Sequence, residues 1–94
     1  MEIEVVKKEK NDLTLRIEGE THTLMNLLCS ELYADDSVKV ASYTLEHPLT
    51  QVVLFHLKTA GKSPEKALSS ATDRIVEKLE ELKKEFQTKL KRRE

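Results

Sequence analysis

Residues 51–90 decide the fold, and they read QVVLFHLKTAGKSPEKALSSATDRIVEKLEELKKEFQTKL. Residues 51–59 are apolar on both faces of a period-2 pattern, which is typical of a central strand or of a strand covered on both faces. Gly61 lies in the turn that follows. Ser63, Pro64 and Glu65 then provide an N-cap hydroxyl, a proline at the first helical position and an acid in the first turn. The segment therefore predicts a central strand, a turn and a sharply defined helix start.

The helix that begins at Pro64 is predicted to be long, because no glycine or proline follows it. From Pro64 to Leu90 it would measure about 40 Å, whereas a compact domain of this size is about 25 to 30 Å across. A shorter helix that frays after Leu82 is the competing interpretation, but the abundant Glu, Lys and Leu favour a continuous one. Apolar side chains recur along one face at spacings mostly of three and four, namely Ala67, Leu68, Ala71, Ile75, Leu79, Leu82, Phe86 and Leu90. The far end of this face is expected to outrun its own sheet, and an exposed apolar patch of that kind indicates a partner.

The first half of the chain predicts a hairpin, a helix and a third strand. Residues 2–7 and 13–18 alternate between apolar and polar side chains on either side of a polar turn, so both strands are expected to be half-buried. A helical period starts at Thr23 and reaches about Ala34, with Thr21 or Thr23 as the cap. Residues 38–45 are rich in β-branched side chains and favour a strand. The predicted fold is an α+β sandwich of order ββαββα, with a four-stranded antiparallel sheet, two helices on one face and a long C-terminal helix.

Composition limits the class of protein. Residues 1–94 fit a single domain, yet apolar residues are only 38% of the chain and charged residues 35%. Such a core-poor chain is expected either to fold marginally alone or to share a core with a partner. The net charge of −1 argues against nucleic acid as the main ligand. The sequence has no apolar run near the roughly 20 residues of a membrane span and no signal-peptide pattern, so a cytoplasmic location is expected.

The residue types that act as catalysts or metal ligands in other proteins form no recognisable pattern in this sequence. No histidine lies at a sequence spacing from Cys29 that would indicate activation of its thiol. Cys29 is therefore expected to be a small buried thiol. His22, His47 and His56 are too scattered for a zinc signature. The two glycines are isolated, and no motif places an acid pair for proton transfer. We therefore predict no catalytic residue, no cofactor and no metal site.

A basic segment closes the chain, comprising Lys89, Lys91, Arg92 and Arg93. It could contact nucleic acid, but cations are also favoured at a helix C-terminus by the helix dipole. No aromatic side chains alternate with these cations, as they would in a single-strand binding surface. A solvated helix end is therefore the favoured interpretation.

Residues 18–28, EGETHTLMNLL, closely resemble the first-helix motif of the small alpha-like subunits of DNA-directed RNA polymerases. This family includes archaeal subunit L and is related to the amino-terminal domain of bacterial alpha. The resemblance continues in VASY at 40–43, in EHPL at 46–49 and in residues 59–68 with their Ser-Pro-Glu helix start, and it spans essentially the whole chain in order. Thr21 stands where an acid is common in the family, and Ala60 where aspartate is frequent.

The resemblance implies a structural role in polymerase assembly. In this family the small subunit forms a heterodimer with a large alpha-like subunit, and the dimer is the platform on which the other polymerase subunits assemble. The catalytic aspartates and their magnesium belong to those other chains, and neither membrane contact nor direct nucleic-acid binding is implied for this one. The implied partner interface comprises Leu24, Leu27 and Leu28 on the first helix with Ile75, Leu79, Leu82 and Phe86 on the long helix.

Two other classes of function fit the same pattern. A homodimeric scaffold of ββαββα shape in a different complex would form a stable self-dimer that ignores alpha-like partners. A small nucleic-acid-binding module would show salt-sensitive binding that weakens when Lys91, Arg92 and Arg93 are neutralised.

Overall fold

The structure, a computed structural model, describes residues 2–19, 22–46 and 51–92. Its elements are β1 (Glu2–Glu9), β2 (Asp12–Glu18), α1 (His22–Tyr33), β3 (Val38–Leu45), β4 (Val52–Thr59) and α2 (Pro64–Arg92). The predicted order ββαββα and the long C-terminal helix are confirmed. Helix α1 starts at His22, so Thr23 lies inside it and does not precede it as a cap. Thr21, His47 and Pro48 lie outside the described residues.

The four strands form one antiparallel sheet in the order β1-β2-β4-β3. Strand β4 is central, as its apolar sequence predicts: Phe55 pairs with Leu15 of β2 on one side and with Tyr43 of β3 on the other. Gly19 and Gly61 follow β2 and β4 with φ angles of 88° and 86°. Glycine adopts this left-handed region without the steric cost that a Cβ atom would bring.

Both helices pack on the same face of the sheet, which we call the inner face. Helix α1 contacts β3, and α2 contacts β4, β2 and α1. Ala67 and Ala71 are fully buried on α2, and their small side chains let the helix backbone approach the sheet closely. The core consists of Leu13, Leu15, Ile17, Met25, Leu32, Val38, Ala41, Val53, Phe55, Leu57, Ala67 and Ala71.

Strand β1 departs from the prediction of a half-buried strand, because it is exposed along its whole length. Ile3 pairs with the buried Ile17, and Val5 pairs with the buried Leu15, so both belong to the inner face. Ile3 is nevertheless 59% exposed and Val5 57%. The physical reason is position: β1 is an edge strand, and the two helices lie over the other three strands. Part of the inner face is therefore left uncovered in the isolated chain.

Helix α2 begins as the Ser63-Pro64-Glu65 signal predicts. The Ser63 hydroxyl accepts a hydrogen bond from the Lys66 amide at 3.3 Å. The backbone carbonyl of Ser63 accepts another from the Ala67 amide at 3.1 Å. The helix has 29 residues, which corresponds to a length of about 43 Å. The radius of gyration is 15.9 Å, against about 12 Å for a compact chain of this length. The excess arises because the second half of α2 projects beyond the sheet.

No helix in the described part of the chain combines the length and the apolarity needed to cross a membrane.

Candidate partner interface

The projecting half of α2 presents a row of apolar side chains to solvent. We call this row the α2 stripe; it comprises Ile75, Leu79, Leu82, Phe86 and Leu90. Ile75 is half-buried where the helix leaves the sheet, and from Val76 to Lys91 every side chain is exposed. Leu79, Leu82 and Phe86 are each between 50% and 59% exposed. Their spacing of three and four places them on one helix face, so they form a continuous unpartnered surface.

Helix α1 adds a smaller apolar surface beside this stripe. Leu24 is 36% exposed and Leu27 42%, whereas Leu28 packs partly against the core. Residues 24, 27, 28 and 31 recur on one face of the helix, and Glu31 on that face is bonded to α2. The exposed leucines of α1 are therefore on the side of α1 that adjoins α2. The structure thus brings the seven residues implied by the resemblance into two neighbouring helices, with Leu28 and Ile75 partly buried between them and the core.

A buried carboxylate joins the two helices, and the sequence interpretation missed it. Arg74 donates its Nε–H to Glu31 Oε1 at 2.7 Å and an Nη2–H to the Glu31 carbonyl at 2.9 Å. Lys78 donates to Glu31 Oε2 at 2.8 Å. The Glu31 side chain is only 7% exposed, and hydrogen bonds from Lys78 and Arg74 hold the pKa of its carboxyl below the ordinary value. We call these three residues the Glu31 clamp. The only signal for the clamp in the sequence was that Glu31, an acid, recurs at the helical spacing of Leu24, Leu27 and Leu28.

A second carboxylate fixes the end of α1 to the start of α2. Asp35 accepts hydrogen bonds from Lys62 Nζ at 2.8 Å, from the Ser37 amide at 2.9 Å and from the Ser37 hydroxyl at 2.8 Å. Donation from Lys62, followed by that from Ser37, holds the pKa of Asp35 well below its ordinary value. The loop after α1 and the turn before α2 are therefore held together by a charge-assisted network.

The uncovered part of the inner face forms an open groove of about 420 Å³ between β1 and α2. We call it the β1 groove; its apolar lining includes Val5, Leu13, Leu15 and Leu68. An ion pair between Lys8 and Glu65, at 3.9 Å, crosses from β1 to α2 beside it. The sequence interpretation missed this surface because an alternating strand was expected to be covered by its own helices.

The residues considered for chemistry have structural partners or are partly buried. His22 Nδ1 lies 2.9 Å from the Tyr43 hydroxyl, which donates to Asn26 Oδ1 at 3.0 Å. His56 Nδ1 lies 3.1 Å from the Thr14 hydroxyl. Burial raises the pKa of the half-buried Cys29 thiol, which disfavours the reactive thiolate. Within the residues that the structure describes, no three His, Cys, Asp or Glu side chains group as a metal site would require.

These features define a class of protein: a two-layer α+β module whose helices carry an apolar surface larger than its own sheet can cover. An exposed apolar surface of this kind marks a site of association with another molecule.

The comparison with known protein families gives the particular family. The model of the RNA polymerase Rpb3/Rpb11 dimerisation domain matches residues 12–85, and the chain belongs to this family. The resemblance inferred from the first-helix motif is thereby confirmed.

Individual relatives agree with this assignment. The chain is 45% identical over 85 residues to the DNA-directed RNA polymerase subunit Rpo11 of Pyrococcus horikoshii, a match that covers 87% of this chain and 90% of the relative. It is 38% identical over 87 residues to subunit Rpo11 of Methanothrix thermoacetophila, with 93% and 96% covered. Among solved structures, it is similar to the crystal structure of DNA-directed RNA polymerase subunit L from Thermoplasma acidophilum. That match has a TM-score of 0.86 and 27% identity, and it covers 97% of this chain and 90% of the other.

Proposed function

We propose that this chain is the small alpha-like subunit of a DNA-dependent RNA polymerase and that it forms a heterodimer with the large alpha-like subunit. The heterodimer is the platform on which the other polymerase subunits assemble in the cytoplasm. The chain, residues 1–94, acts as one dimerisation domain and contributes no catalytic residue, cofactor or metal of its own. The observation that carries the proposal is the unpartnered α2 stripe, together with the exposed leucines of α1. The polymerase-subunit names of the relatives support it.

The size of the stripe indicates how large the interface must be. Leu79, Leu82 and Phe86 have each about half of their surface still to bury, which would contribute roughly 1 kcal/mol per side chain. Association costs roughly 4 to 15 kcal/mol in lost translational and rotational freedom. These three side chains by themselves therefore contribute less than association costs, before Leu90 and the partner's own buried surface are counted. The leucines of α1 and the β1 groove offer further apolar surface for the interface to bury.

The direct test is co-expression of this chain with the large alpha-like subunit from the same organism, followed by size exclusion with light scattering. A one-to-one complex is the expected result. A stable homodimer that refuses the large subunit would contradict the proposal and would indicate a scaffold for a different complex.

A mutational test locates the interface on α2. Leu79→Asp and Phe86→Asp should each abolish the heterodimer, because a carboxylate buried in an apolar interface has no partner to offset its lost hydration. The sheet should stay folded, since both side chains lie outside the core. Thr88→Asp is the matched control: it adds the same charge near the same end of α2, but about half a turn away from the stripe. Pairing that survives both stripe substitutions would show that the interface lies elsewhere.

A further inference from the structure

The Glu31 clamp lies where α2 loses contact with the rest of the domain. Before it, Ala67 and Ala71 are fully buried against the sheet, and Ile75 is half-buried. After it, every described side chain of the helix is exposed. Lys78 is the last residue of α2 with a hydrogen bond to another element among those described. Arg74 and Lys78 therefore make the last described polar contacts to α1 before the helix projects beyond the sheet.

We propose that the Glu31 clamp is a positioning device, which fixes the direction in which α2 leaves the domain and so presents the α2 stripe to the partner chain. This inference rests on the proposed function, because it assigns a role within the same interface. The three residues act on the partner through helix geometry, whereas the apolar side chains make the contact itself.

The length of the projecting half explains why a small change in helix direction at the clamp would matter for the partner interface. From Lys78 to Leu90 the helix extends about 18 Å. A change of about 15° at the clamp, which is within the natural scatter of helix crossing angles, would move Leu90 by about 5 Å. Packed helix axes are only about 8 to 10 Å apart, so such a displacement would take the stripe out of register with its partner.

The chemistry of the clamp suits this task better than an apolar contact would. The carboxylate receives Arg74 and Lys78 on different oxygens, and Arg74 also donates to the Glu31 carbonyl. Charge-assisted hydrogen bonds are directional, so together they restrain both the separation and the rotation of the two helices. Apolar packing alone tolerates sliding and gives less geometric specificity. Because Glu31 is buried, an unpaired carboxylate there is unfavourable, which disfavours arrangements that break the clamp.

The test has two separate measurements. The first reports the direction of α2 in the unpaired chain, and the second reports the affinity of the chain for its partner. In a Cys29→Ser background, spin labels at the exposed positions Lys39 on β3 and Thr88 on α2 report the distance from the sheet to the helix end. The labelled full-length chain is diluted into an excess of unlabelled chain, so that the measured distances are intramolecular. Glu31→Gln and Lys78→Met should broaden the distance distribution. Lys78→Arg should restore the wild-type width, and Lys84→Met, which removes an exposed charge outside the clamp, should leave it unchanged.

The same variants are then titrated with the large alpha-like subunit. Glu31→Gln and Lys78→Met should weaken pairing by about tenfold or more, with Lys78→Arg and Lys84→Met near wild type. A purely structural role would lower the melting temperature without broadening the distances, and that result would overturn the proposal. Broad distances with unchanged affinity would also overturn it. If the wild-type chain fails to pair, the proposed function is wrong, whereas the distance measurement still decides whether the clamp sets the direction of α2.

Discussion

At the scale of single residues, two buried or partly buried carboxylates connect the region of α1 to that of α2. Glu31 and Asp35 are separated by about one helical turn, yet they bind different parts of α2: Glu31 binds its middle, and Asp35 binds the turn before it through Lys62. Neither partnership could be predicted from the sequence, because the donors lie 27 to 47 residues away and only the tertiary fold brings them together. Cap residues such as Ser63 were predictable, since their partners are three or four positions away.

The depressed pKa of Asp35 gives a prediction for the pH dependence of stability. A carboxyl whose folded-state pKa is below its unfolded value of about 3.9 contributes stability that is fully present above that value. The contribution is lost as the pH falls through the folded-state pKa. The urea midpoint of the wild type should therefore exceed that of Asp35→Asn at pH 7, and the difference should shrink in acid below about pH 4. Urea unfolding followed by circular dichroism at several pH values measures both curves.

The control for this measurement is the neighbouring Asp36→Asn, which removes an equal charge from an exposed side chain. Its urea midpoint should stay near that of the wild type at pH 7. A wild-type advantage over Asp35→Asn that is constant from pH 7 down to strong acid would contradict the role assigned to the Asp35 carboxylate.

At the scale of elements, local rules predicted which segments form helices and strands, but they did not predict what covers them. Strand β1 has the alternation of a half-buried strand, and its apolar side chains do point to the inner face. The prediction that β1 is half-buried was wrong because neither helix extends over the edge of the sheet. The length of α2, in contrast, followed from its cap and from the absence of glycine and proline. Periodicity therefore identified the side chains of a candidate interface, and only the fold showed that β1 is left uncovered as well.

The division of α2 into an anchored half and a projecting half predicts that the two are separable. A chain that ends at Lys78 keeps every core residue and the whole Glu31 clamp. It should unfold cooperatively, with a urea midpoint close to that of the full chain, but it should no longer pair with the large alpha-like subunit. A chain that ends at Leu90 retains the α2 stripe and should pair normally. Loss of folding in the shorter chain would show that the projecting half contributes to the core.

At the scale of the whole molecule, the core is small and part of the apolar surface is left uncovered. The chain has apolar residues on the projecting end of α2 and on the open edge of β1, and both would have to be covered for burial typical of a stable domain. In an interface with a partner chain, each chain can cover apolar surface that the other leaves exposed. The even charge balance, with 16 basic and 17 acidic residues, suits association through apolar area more than through a charged surface.

This balance predicts how pairing responds to salt and temperature. Burial of apolar surface gives a negative heat-capacity change on binding, which calorimetric titration with the large alpha-like subunit at several temperatures should show. The dissociation constant should change by less than about threefold between about 50 and about 200 mM salt, because exposed charges contribute little to such an interface. A nucleic-acid-binding module with 6 to 10 phosphate contacts would lose roughly 10³ to 10⁵ in affinity over the same range. Duplex and single-stranded DNA titrated in parallel should therefore show at most weak binding. Tight, steeply salt-dependent binding of either, together with salt-sensitive subunit pairing, would favour the basic C-terminal segment as the functional surface.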